Sequence, residues 1–214
     1  MMHDLDWTDV FPADSWRVYI VDDDELVCEL LAAVLATAGY RSTAYSNPNE
    51  FLDHLDQGAP GCVLLDIQMP VRNGLQVQQA LVERGCTLPI VFISAQHEIG
   101  VAVEAMKQGA FDFIEKPVRQ QPLLDVVHRA VRYDMQERIA QLRRRRLQNR
   151  FASLSPRERD VLSLLLAGGA NKSIAADLGL SSRTVEIHRA NIMEKMEVHS
   201  IAALVRAHAE LHGT

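Results

Sequence analysis

Residues 62–70 read Cys-Val-Leu-Leu-Asp-Ile-Gln-Met-Pro, so a short apolar run ends in the carboxylate of Asp66. Three other largely apolar runs also end in side chains able to bind a charged ligand: residues 18–21 before Asp22 and Asp23, residues 90–93 before Ser94, and residues 111–114 before Glu115 and Lys116. Buried parallel strands have such apolar runs, and right-handed crossovers bring their carboxyl ends to one edge of a sheet. We therefore expect these polar side chains to converge.

Apolar residues recur at helical spacing between these runs, which predicts a helix after each strand. The first helix is expected over residues 25–38, with an apolar face made of Leu26, Leu30, Leu31, Val34 and Leu35. Five strands that alternate with helices predict a (βα)5 unit over residues 17–132. This is an α/β fold, in which helices cover both faces of a flavodoxin-like, doubly wound parallel sheet. Ligands of such sheets bind at the carboxyl ends of the strands.

The predicted cluster combines carboxylates, a hydroxyl and an ammonium group. Carboxylates close together repel one another, and a hard divalent cation such as Mg²⁺ or Mn²⁺ removes the repulsion because it prefers oxygen ligands. The ammonium group of Lys116 adds a second positive charge, and the hydroxyl of Ser94 can donate a hydrogen bond to a phosphoryl oxygen. Together these groups predict a pocket for transfer of a phosphoryl group onto a carboxylate.

Residues 17–132 resemble the receiver domain of the two-component response regulators. The resemblance rests on four separated blocks: residues 21–23, residues 65–70, residues 94–95 and residues 115–117. It implies a role for each of six residues: Asp66 as phosphoacceptor, Asp22 and Asp23 as metal ligands beside Asp66, Gln68 as a metal ligand through its backbone carbonyl, and Ser94 and Lys116 as phosphate-binding groups.

The resemblance implies further details of the pocket. Phe113 has the place of an aromatic side chain that repacks in the switch, although a core residue on an alternating strand would look the same. The peptide bond between Lys116 and Pro117 is expected to be cis, as are about 5% of X-Pro bonds. Asp24 is expected to begin the first helix, because an acidic side chain suits a helix N-terminus.

Residues 133–150 are polar and helix-forming, which predicts a helical linker. Val131, Met135, Ile139 and Leu142 recur every three or four residues, so the last helix of the receiver-like unit is expected to continue and could form a dimer seam. Residues 143–146 are four consecutive arginines. We interpret them as the solvated face of this helix, with contacts to DNA phosphates or acidic lipid as the alternative.

Residues 151–214 predict a second, all-α domain of four helices. A serine, a proline and a glutamate within residues 155–158 begin the first helix, with the pattern of a capping box. A short helix over residues 171–178, a turn at Gly179 and a longer helix over residues 182–196 form the pattern of a helix-turn-helix. On this pattern alone an ordinary α-hairpin is the alternative.

Three stretches resemble the LuxR-type helix-turn-helix: residues 154–162, residues 171–175 and residues 184–188. With the receiver-like unit, the chain from about residue 17 to residue 212 resembles a response regulator of the NarL/FixJ class, and residues 184–191 favour the FixJ-like branch. The resemblance implies that residues 182–196 form the recognition helix in the major groove, with Val185 and Ile192 toward the core.

The resemblance also implies which side chains meet DNA. Four are expected to face the bases: Glu186, Ile187, Arg189 and Ala190. Five are expected to contact the DNA backbone: Lys172, Arg183, Thr184, His188 and Lys195. Glu186 departs from the lysine of some relatives, and a glutamate either accepts from cytosine or repels phosphate, which leaves the base preference open.

Charge is distributed unevenly along the chain. Residues 1–132 contain 9 Lys and Arg against 19 Asp and Glu, a net of −10, and residues 133–214 contain 13 against 9, a net of +4, which together make the −6 of the whole chain. An acidic first half suits a cation, and a basic second half suits a polyanion. Because +4 is modest, we expect a dimer on paired DNA half-sites rather than tight binding by a monomer.

Residues 1–16 form an N-terminal extension in which Trp7, Phe11 and Trp16 alternate with acidic residues. Either a disordered tail or a segment that packs on the receiver or on a partner fits this composition. The start lacks the basic and apolar regions of a secretory signal, and no apolar run reaches the roughly 18 residues of a membrane span, so a cytoplasmic protein without membrane contact is expected. Cys28, Cys62 and Cys86 are interpreted as small buried side chains.

These patterns and resemblances predict a phosphorylation-dependent transcription regulator rather than an enzyme. Its expected partners are a sensor histidine kinase, double-stranded promoter DNA, RNA polymerase and, after phosphorylation, a second copy of the chain. Two alternatives stay open: a regulator whose DNA binding does not depend on phosphorylation, and a phosphatase or phosphotransferase with Asp66 as nucleophile.

Overall fold

The computed structural model of the chain describes residues 16–95 and 99–212. The chain divides into two compact units, residues 1–139 and residues 140–214. The elements of the first unit are β1 (Arg17–Val21), α1 (Glu25–Thr37), β2 (Ser42–Tyr45), α2 (Pro48–His54), β3 (Gly61–Asp66), α3 (Gly74–Glu83), β4 (Ile90–Ser94), α4 (Ile99–Lys107), β5 (Asp112–Glu115) and the first part of α5 (Gln120–Ala152). This succession confirms the predicted (βα)5 unit.

The five strands form one parallel sheet in the order β2-β1-β3-β4-β5. Successive side chains of a strand point to opposite faces, so each buried strand supplies two cores. Ile20 and Leu64 pack with α1 and α5 on one face, while Val21 and Leu65 pack with α2, α3 and α4 on the other. The strand order reverses between β1 and β3, which places the switch point of the sheet beside Asp66.

The first helix corrects one prediction. Its expected apolar face included Leu26 and Leu30, but these side chains are 75% and 58% exposed, whereas Leu31 and Leu35 are buried. The helix begins where it was predicted, because the side chain of Asp24 accepts hydrogen bonds from the backbone of its first turn. The apolar residues of this helix cover a wider face than the sheet buries, so helical spacing alone predicted too many buried residues.

Helix α5 continues without a break through residues predicted to form a linker, as the spacing of its apolar residues indicated. The dimer seam predicted from the same spacing is wrong for its first half, since Val131 and Met135 are buried in the core of the first unit. On the same helix, Asp134 binds the first residue of β3, Gly61, and Arg138 binds the segment that precedes that strand.

The second unit is helical, and its elements are the last part of α5 followed by α6 (Pro156–Leu166), α7 (Asn171–Leu178), α8 (Ser182–Lys195) and α9 (Ile201–His212). Ser155 and Glu158 form the predicted capping box at the start of α6. Gly179 has φ +65°, the left-handed conformation that glycine adopts without steric cost, and it makes the turn between α7 and α8. Val185 and Ile192 are fully buried in the core of this unit, as predicted.

Two further expectations concern the described residues as a whole. Among residues 16–95 and 99–212, no helix has both the length and the apolar character needed to cross a membrane. The three cysteines are free thiols, and Cys28 and Cys62 are buried as interpreted, whereas Cys86 is only partly buried.

Candidate functional site

The candidate site lies at the carboxyl edge of the sheet, where β1, β3, β4 and β5 end. β1 and β3 are neighbours in register, with Val21 opposite Leu65, so the residues that follow them emerge side by side. Across the next pair Asp66 lies opposite Ile93, and in the last pair Ser94 lies opposite Glu115. The parallel sheet thus brings residues together that are separated by up to 94 positions in the sequence.

One ammonium group joins the two buried acids of this cluster. Nζ of Lys116 is 2.8 Å from Oδ2 of Asp22 and 2.7 Å from Oδ1 of Asp66. Asp22 is only 2% exposed and Asp66 only 4%, whereas Asp23 is exposed. Each of the three acids has a carboxylate oxygen within 4.8 Å of those of the other two. The predicted convergence of these four residues is therefore present in the fold.

Burial and the pairing of opposite charges have opposite effects on the pKa values of Asp66 and Lys116. Burial raises the pKa of Asp66, Lys116 opposes the rise, and the neighbouring charges of Asp22 and Asp23 add to it. For Lys116, burial alone would lower the pKa, but its hydrogen bonds and charge interactions with Asp22 and Asp66 outweigh burial and raise it. Lys116 therefore stays protonated while Asp66 is held in a setting that disfavours its negative charge.

The segment after β3 shapes the site around Asp66. Gly74, at the start of α3, passes so close to this segment that an added Cβ would lie 2.4 Å from the carbonyl oxygen of Asp66. Only glycine tolerates that approach. Gln68 is exposed on the same segment, and Val71 has φ +71°, a conformation that is unusual for a β-branched residue.

The remaining predicted receiver residues lie on β4 and β5 or directly after them. Ser94 is buried at the end of β4, and its Oγ is 3.4 Å from the carbonyl oxygen of Ala95. Phe113 is half-buried against the core under α2, α3 and α4. The peptide bond between Lys116 and Pro117 is cis, as expected.

Cys28 makes a contact with Asp22 that was not predicted from the sequence. Sγ of Cys28 donates to the backbone carbonyl of Asp22 across 3.3 Å. Burial, followed by the charge of Asp22, raises the pKa of the Cys28 thiol to about 11, so the thiol stays a donor. Its position six residues after Asp22, one turn into α1, is the signal that could have indicated this contact.

The second unit places the predicted DNA-contacting residues on and beside α8. Ser181 caps this helix, because its Oγ accepts a hydrogen bond from the backbone N–H of Thr184. Arg183, Glu186, Ile187 and Ala190 are exposed, and their spacing places them on one face. Lys172 on α7 is also exposed.

Several of the predicted contact residues already have partners within the unit. Lys195 lies 2.7 Å from Oε2 of the buried Glu158, and Arg189 donates to the side chain of Asn171. Thr184 and His188 are partly buried, and Nδ1 of His188 has no hydrogen-bond partner among the described residues. The sequence carries no signal for the pairing of Lys195, because it lies 37 positions from Glu158 and the two meet only in the fold.

Comparison with known families agrees with this geometry. Residues 18–128 match the response regulator receiver domain, and residues 152–208 match the family described as bacterial regulatory proteins, luxR family. The response regulator protein TodT of Pseudomonas putida is 42% identical over 189 residues, which cover 88% of this chain and 83% of that protein. The transcriptional regulatory protein FixJ of Azorhizobium caulinodans is 39% identical over 196 residues, which cover 90% and 92%.

Solved structures resemble the whole chain as well. The response regulator StyR matches with a TM-score of 0.85 and 38% identity over 91% of this chain and 98% of that chain. Full-length FixJ from B. japonicum matches with a TM-score of 0.57 and 34% identity over 92% and 98%. With both of its domains matched in the predicted order, the chain belongs to the NarL/FixJ class of response regulators, which join a receiver domain to a LuxR-type DNA-binding domain.

Proposed function

We propose that this chain is a two-component transcription regulator that takes a phosphoryl group on Asp66 from the phosphohistidine of a sensor kinase and then binds promoter DNA as a dimer. The observation that carries the proposal is the bridge from Lys116 to Asp22 and Asp66, at the sheet edge of a chain that also contains a helix-turn-helix. The receiver is proposed to span residues 17–132, the linker residues 133–150 and the DNA-binding domain residues 151–214.

The acids suit a divalent cation. Asp22, Asp23 and Asp66 offer carboxylate oxygens within 4.8 Å of one another, and hard oxygen donors on a rim are what Mg²⁺ and Mn²⁺ prefer. We propose that these three side chains and the backbone carbonyl of Gln68 hold the ion. When bound, it supplies positive charge that offsets the phosphoryl oxygens and the crowded carboxylates.

The transfer itself is a displacement at phosphorus by this chain's own carboxylate. An oxygen of Asp66 forms the new P–O bond while the P–N bond of the phosphohistidine breaks, and the released imidazole takes a proton from solvent. Lys116 is already within hydrogen-bond distance of the nucleophile, so its ammonium group can turn to the phosphoryl oxygens as the bond forms. Ser94 at the end of β4 is the proposed hydroxyl donor to the same group.

We expect phosphorylation to shift the receiver from a mainly inactive to a mainly active population of conformations. Once Lys116 and Ser94 bind the phosphoryl group, the ends of β4 and β5 move with them, and the half-buried Phe113 repacks. The surface of α4, β5 and α5 then favours a dimer. A dimer presents two copies of α8 to paired half-sites, with Glu186, Ile187, Arg189 and Ala190 toward the bases.

The remaining partners follow from this role. Lys172, Arg183, Thr184, His188 and Lys195 are the proposed contacts to the DNA backbone, although Lys195 would have to share its bond to Glu158. RNA polymerase is the expected partner at a promoter. We propose that the protein acts in the cytoplasm, where it can reach DNA. We propose no catalytic turnover, since every relative described above is a regulator.

Mass spectrometry of the intact and native protein tests the proposal. With acetyl phosphate and Mg²⁺, the wild type should gain one phosphoryl group and shift toward dimer, whereas Asp66→Asn should do neither. Asp53→Asn, the same substitution at an exposed aspartate outside the acid cluster, is the matched control. No adduct under any metal condition would overturn the phosphorelay role, and continued release of inorganic phosphate in large excess over protein would favour an enzyme.

A further inference from the structure

A groove with a volume of about 320 Å³ lies beside α5 in the first unit, away from the phosphorylation site. Its walls include Trp16, Tyr40, His128, Arg132, Met135 and Ile139. Apart from the polar tips of Tyr40 and His128, which contact each other across 3.2 Å, much of this wall is apolar. Arg132 is exposed at the groove, and none of the side chains that line it is acidic.

The chain enters the first unit at this groove. Trp16, the first described residue, is half-buried against the core formed by α1 and α5, and it forms part of the groove wall. This packing corrects the prediction that Trp16 belongs to the N-terminal extension, because the side chain is part of the receiver fold. Residues 1–15, which include Trp7 and Phe11 and lie outside the described residues, are therefore tethered directly to the groove.

The composition of residues 1–15 complements the groove. The segment contains Trp7, Val10 and Phe11 as large apolar side chains. It carries four aspartates and no lysine or arginine. Apolar side chains suit the apolar wall, and the acidic charge suits Arg132, because opposite charges attract while the apolar surface leaves water.

The length of the groove agrees with the reach of the chain between Trp16 and Phe11. Along α5 the groove extends from His128 to Ile139, which at 1.5 Å per residue is about 17 Å. From Trp16 back to Phe11 there are five residues, and an extended chain of that length spans about 17 Å. Phe11 can therefore reach either end of the groove without any movement of Trp16.

We propose that residues 1–15 bind in this groove of their own chain, with Val10 and Phe11 against Trp16 and Ile139 and an aspartate of the segment paired with Arg132. Ile139 is the last residue of the first unit. The segment would thus stabilise α5 at the point where that helix leaves the unit. The proposal is independent of phosphorylation, and Asp66→Asn should leave the binding unchanged.

Binding in trans is the first test. A peptide of residues 1–15 is titrated into the otherwise complete chain lacking residues 2–15, and its binding is followed by calorimetry. Saturable binding of one peptide per chain is expected. A peptide with Phe11→Ser should bind about tenfold more weakly or worse, because burial of the ring is lost.

Charge reversal tests the position of the peptide. Arg132→Glu in the shortened chain should weaken peptide binding about fivefold, the scale of one exposed ion pair. Arg119→Glu, also exposed but outside the groove, is the matched control and should bind the peptide as the parent does. Equal binding by both variants would place the peptide elsewhere and overturn the proposal.

Tryptophan fluorescence tests the same contact within the full chain. Trp7 and Trp16 are the two tryptophans of the sequence, so Trp7→Phe leaves Trp16 as a single reporter in the groove wall. Adding Phe11→Ser should increase quenching of Trp16 by acrylamide, and His3→Ala should not. Unchanged quenching together with no peptide binding would overturn the proposal. A dimer of the unphosphorylated chain that requires Phe11, seen by light scattering, would instead assign the groove to a second copy.

Discussion

At the scale of single residues, Lys116 is the cation that balances the buried carboxylates of the proposed phosphorylation site. Its ammonium group holds two buried carboxylates, Asp22 and Asp66, within hydrogen-bond distance. Without this cation, two buried negative charges would face each other, which is costly in a low-dielectric setting. In the proposed reaction, the ammonium group of Lys116 exchanges carboxylate oxygens for phosphoryl oxygens as its hydrogen-bond partners.

Asp66→Asn is expected to stabilise the receiver at pH 7, by on the order of 1 kcal/mol. The folded pKa of Asp66 is raised, mainly by burial, so the folded state disfavours its ionised form. The stability that protonation of Asp66 confers is present at low pH and is lost as the pH rises through this raised pKa. The difference between variant and wild type should therefore shrink as the pH falls through the same range.

Urea unfolding followed by tryptophan fluorescence measures this difference, because Trp16 packs against the core of the receiver. Mg²⁺ is the internal control. It should stabilise the wild type more than Asp66→Asn, since the variant has lost one proposed carboxylate ligand. A variant less stable than the wild type at pH 7 would show that the bond to Lys116 outweighs burial.

Glu158→Gln tests the buried ion pair of the DNA-binding unit. The hydrogen bond from Lys195, followed by the backbone bond at Ser155, lowers the pKa of Glu158 to about 2. Its stabilising effect is then complete above the ordinary pKa of 4.5 and is lost as the pH falls toward 2. Glutamine keeps the capping box but not the charge, so we expect a loss of about 1.5–3 kcal/mol at pH 7.

Circular dichroism at the helix band follows this unit during unfolding at several pH values. The difference between Glu158→Gln and wild type should close between pH 4.5 and 2. Glu194→Gln, at an exposed position of α8, is the matched control and should stay within about 0.5 kcal/mol of the wild type. A deficit for Glu158→Gln that does not change with pH would contradict the ion-pair account.

At the scale of elements, α5 is anchored to the receiver by a polar clamp as well as by its apolar face. Asp134, buried on α5, accepts from the backbone of Gly61 at 2.9 Å and from Arg138 at 2.7 Å. Arg138 in turn donates to the backbone carbonyls of three residues that precede β3: Gln57, Gly58 and Ala59. The clamp ties the start of the strand that ends in Asp66 to the helix that continues toward the DNA-binding unit.

Arg138→Met is expected to destabilise the receiver by about 3 kcal/mol, because it leaves the buried Asp134 without its cation. Urea unfolding at pH 7 measures the loss. Arg129→Met, which removes an exposed pair with Asp112, is the matched control and should cost less than about 1 kcal/mol. Equal effects of the two substitutions would mean that the clamp contributes no more than a surface ion pair.

At the scale of the whole molecule, an acidic receiver and a basic DNA-binding half share one chain. The net charge of the second half, +4, limits how much phosphate one copy can neutralise. The proposed dimer would double the number of phosphate contacts, because it brings two copies of the DNA-binding unit to one duplex. If phosphorylation drives the proposed dimer, we expect it to steepen the salt dependence of DNA binding.

For a duplex of arbitrary sequence, the slope of log K against log salt should be about twice as steep for the phosphorylated wild type as for Asp66→Asn treated in the same way. Arg183→Ala should reduce the slope of the phosphorylated dimer by about 2, one contact per copy. Glu186→Gln is the matched control, since it changes a side chain proposed to face the bases and neither adds nor removes a phosphate contact. An identical slope for phosphorylated and unphosphorylated protein would contradict the dimer.

Sequence alone determined the features that depend on periodicity, turn chemistry and motif spacing. The strands ending at Val21, Asp66 and Ser94, the capping box at Ser155 and the turn at Gly179 follow from local patterns, and the parallel sheet makes the ends of its strands converge. Tertiary structure decided which side chains are covered and paired. Leu26 and Leu30 look like Leu31 and Leu35 in the sequence, yet only the sheet determines which side of α1 is buried. The partners of Lys195 and Asp134 depend in the same way on elements distant in the chain, because an ion pair forms where folding brings charges together and leaves no trace in the spacing of either residue.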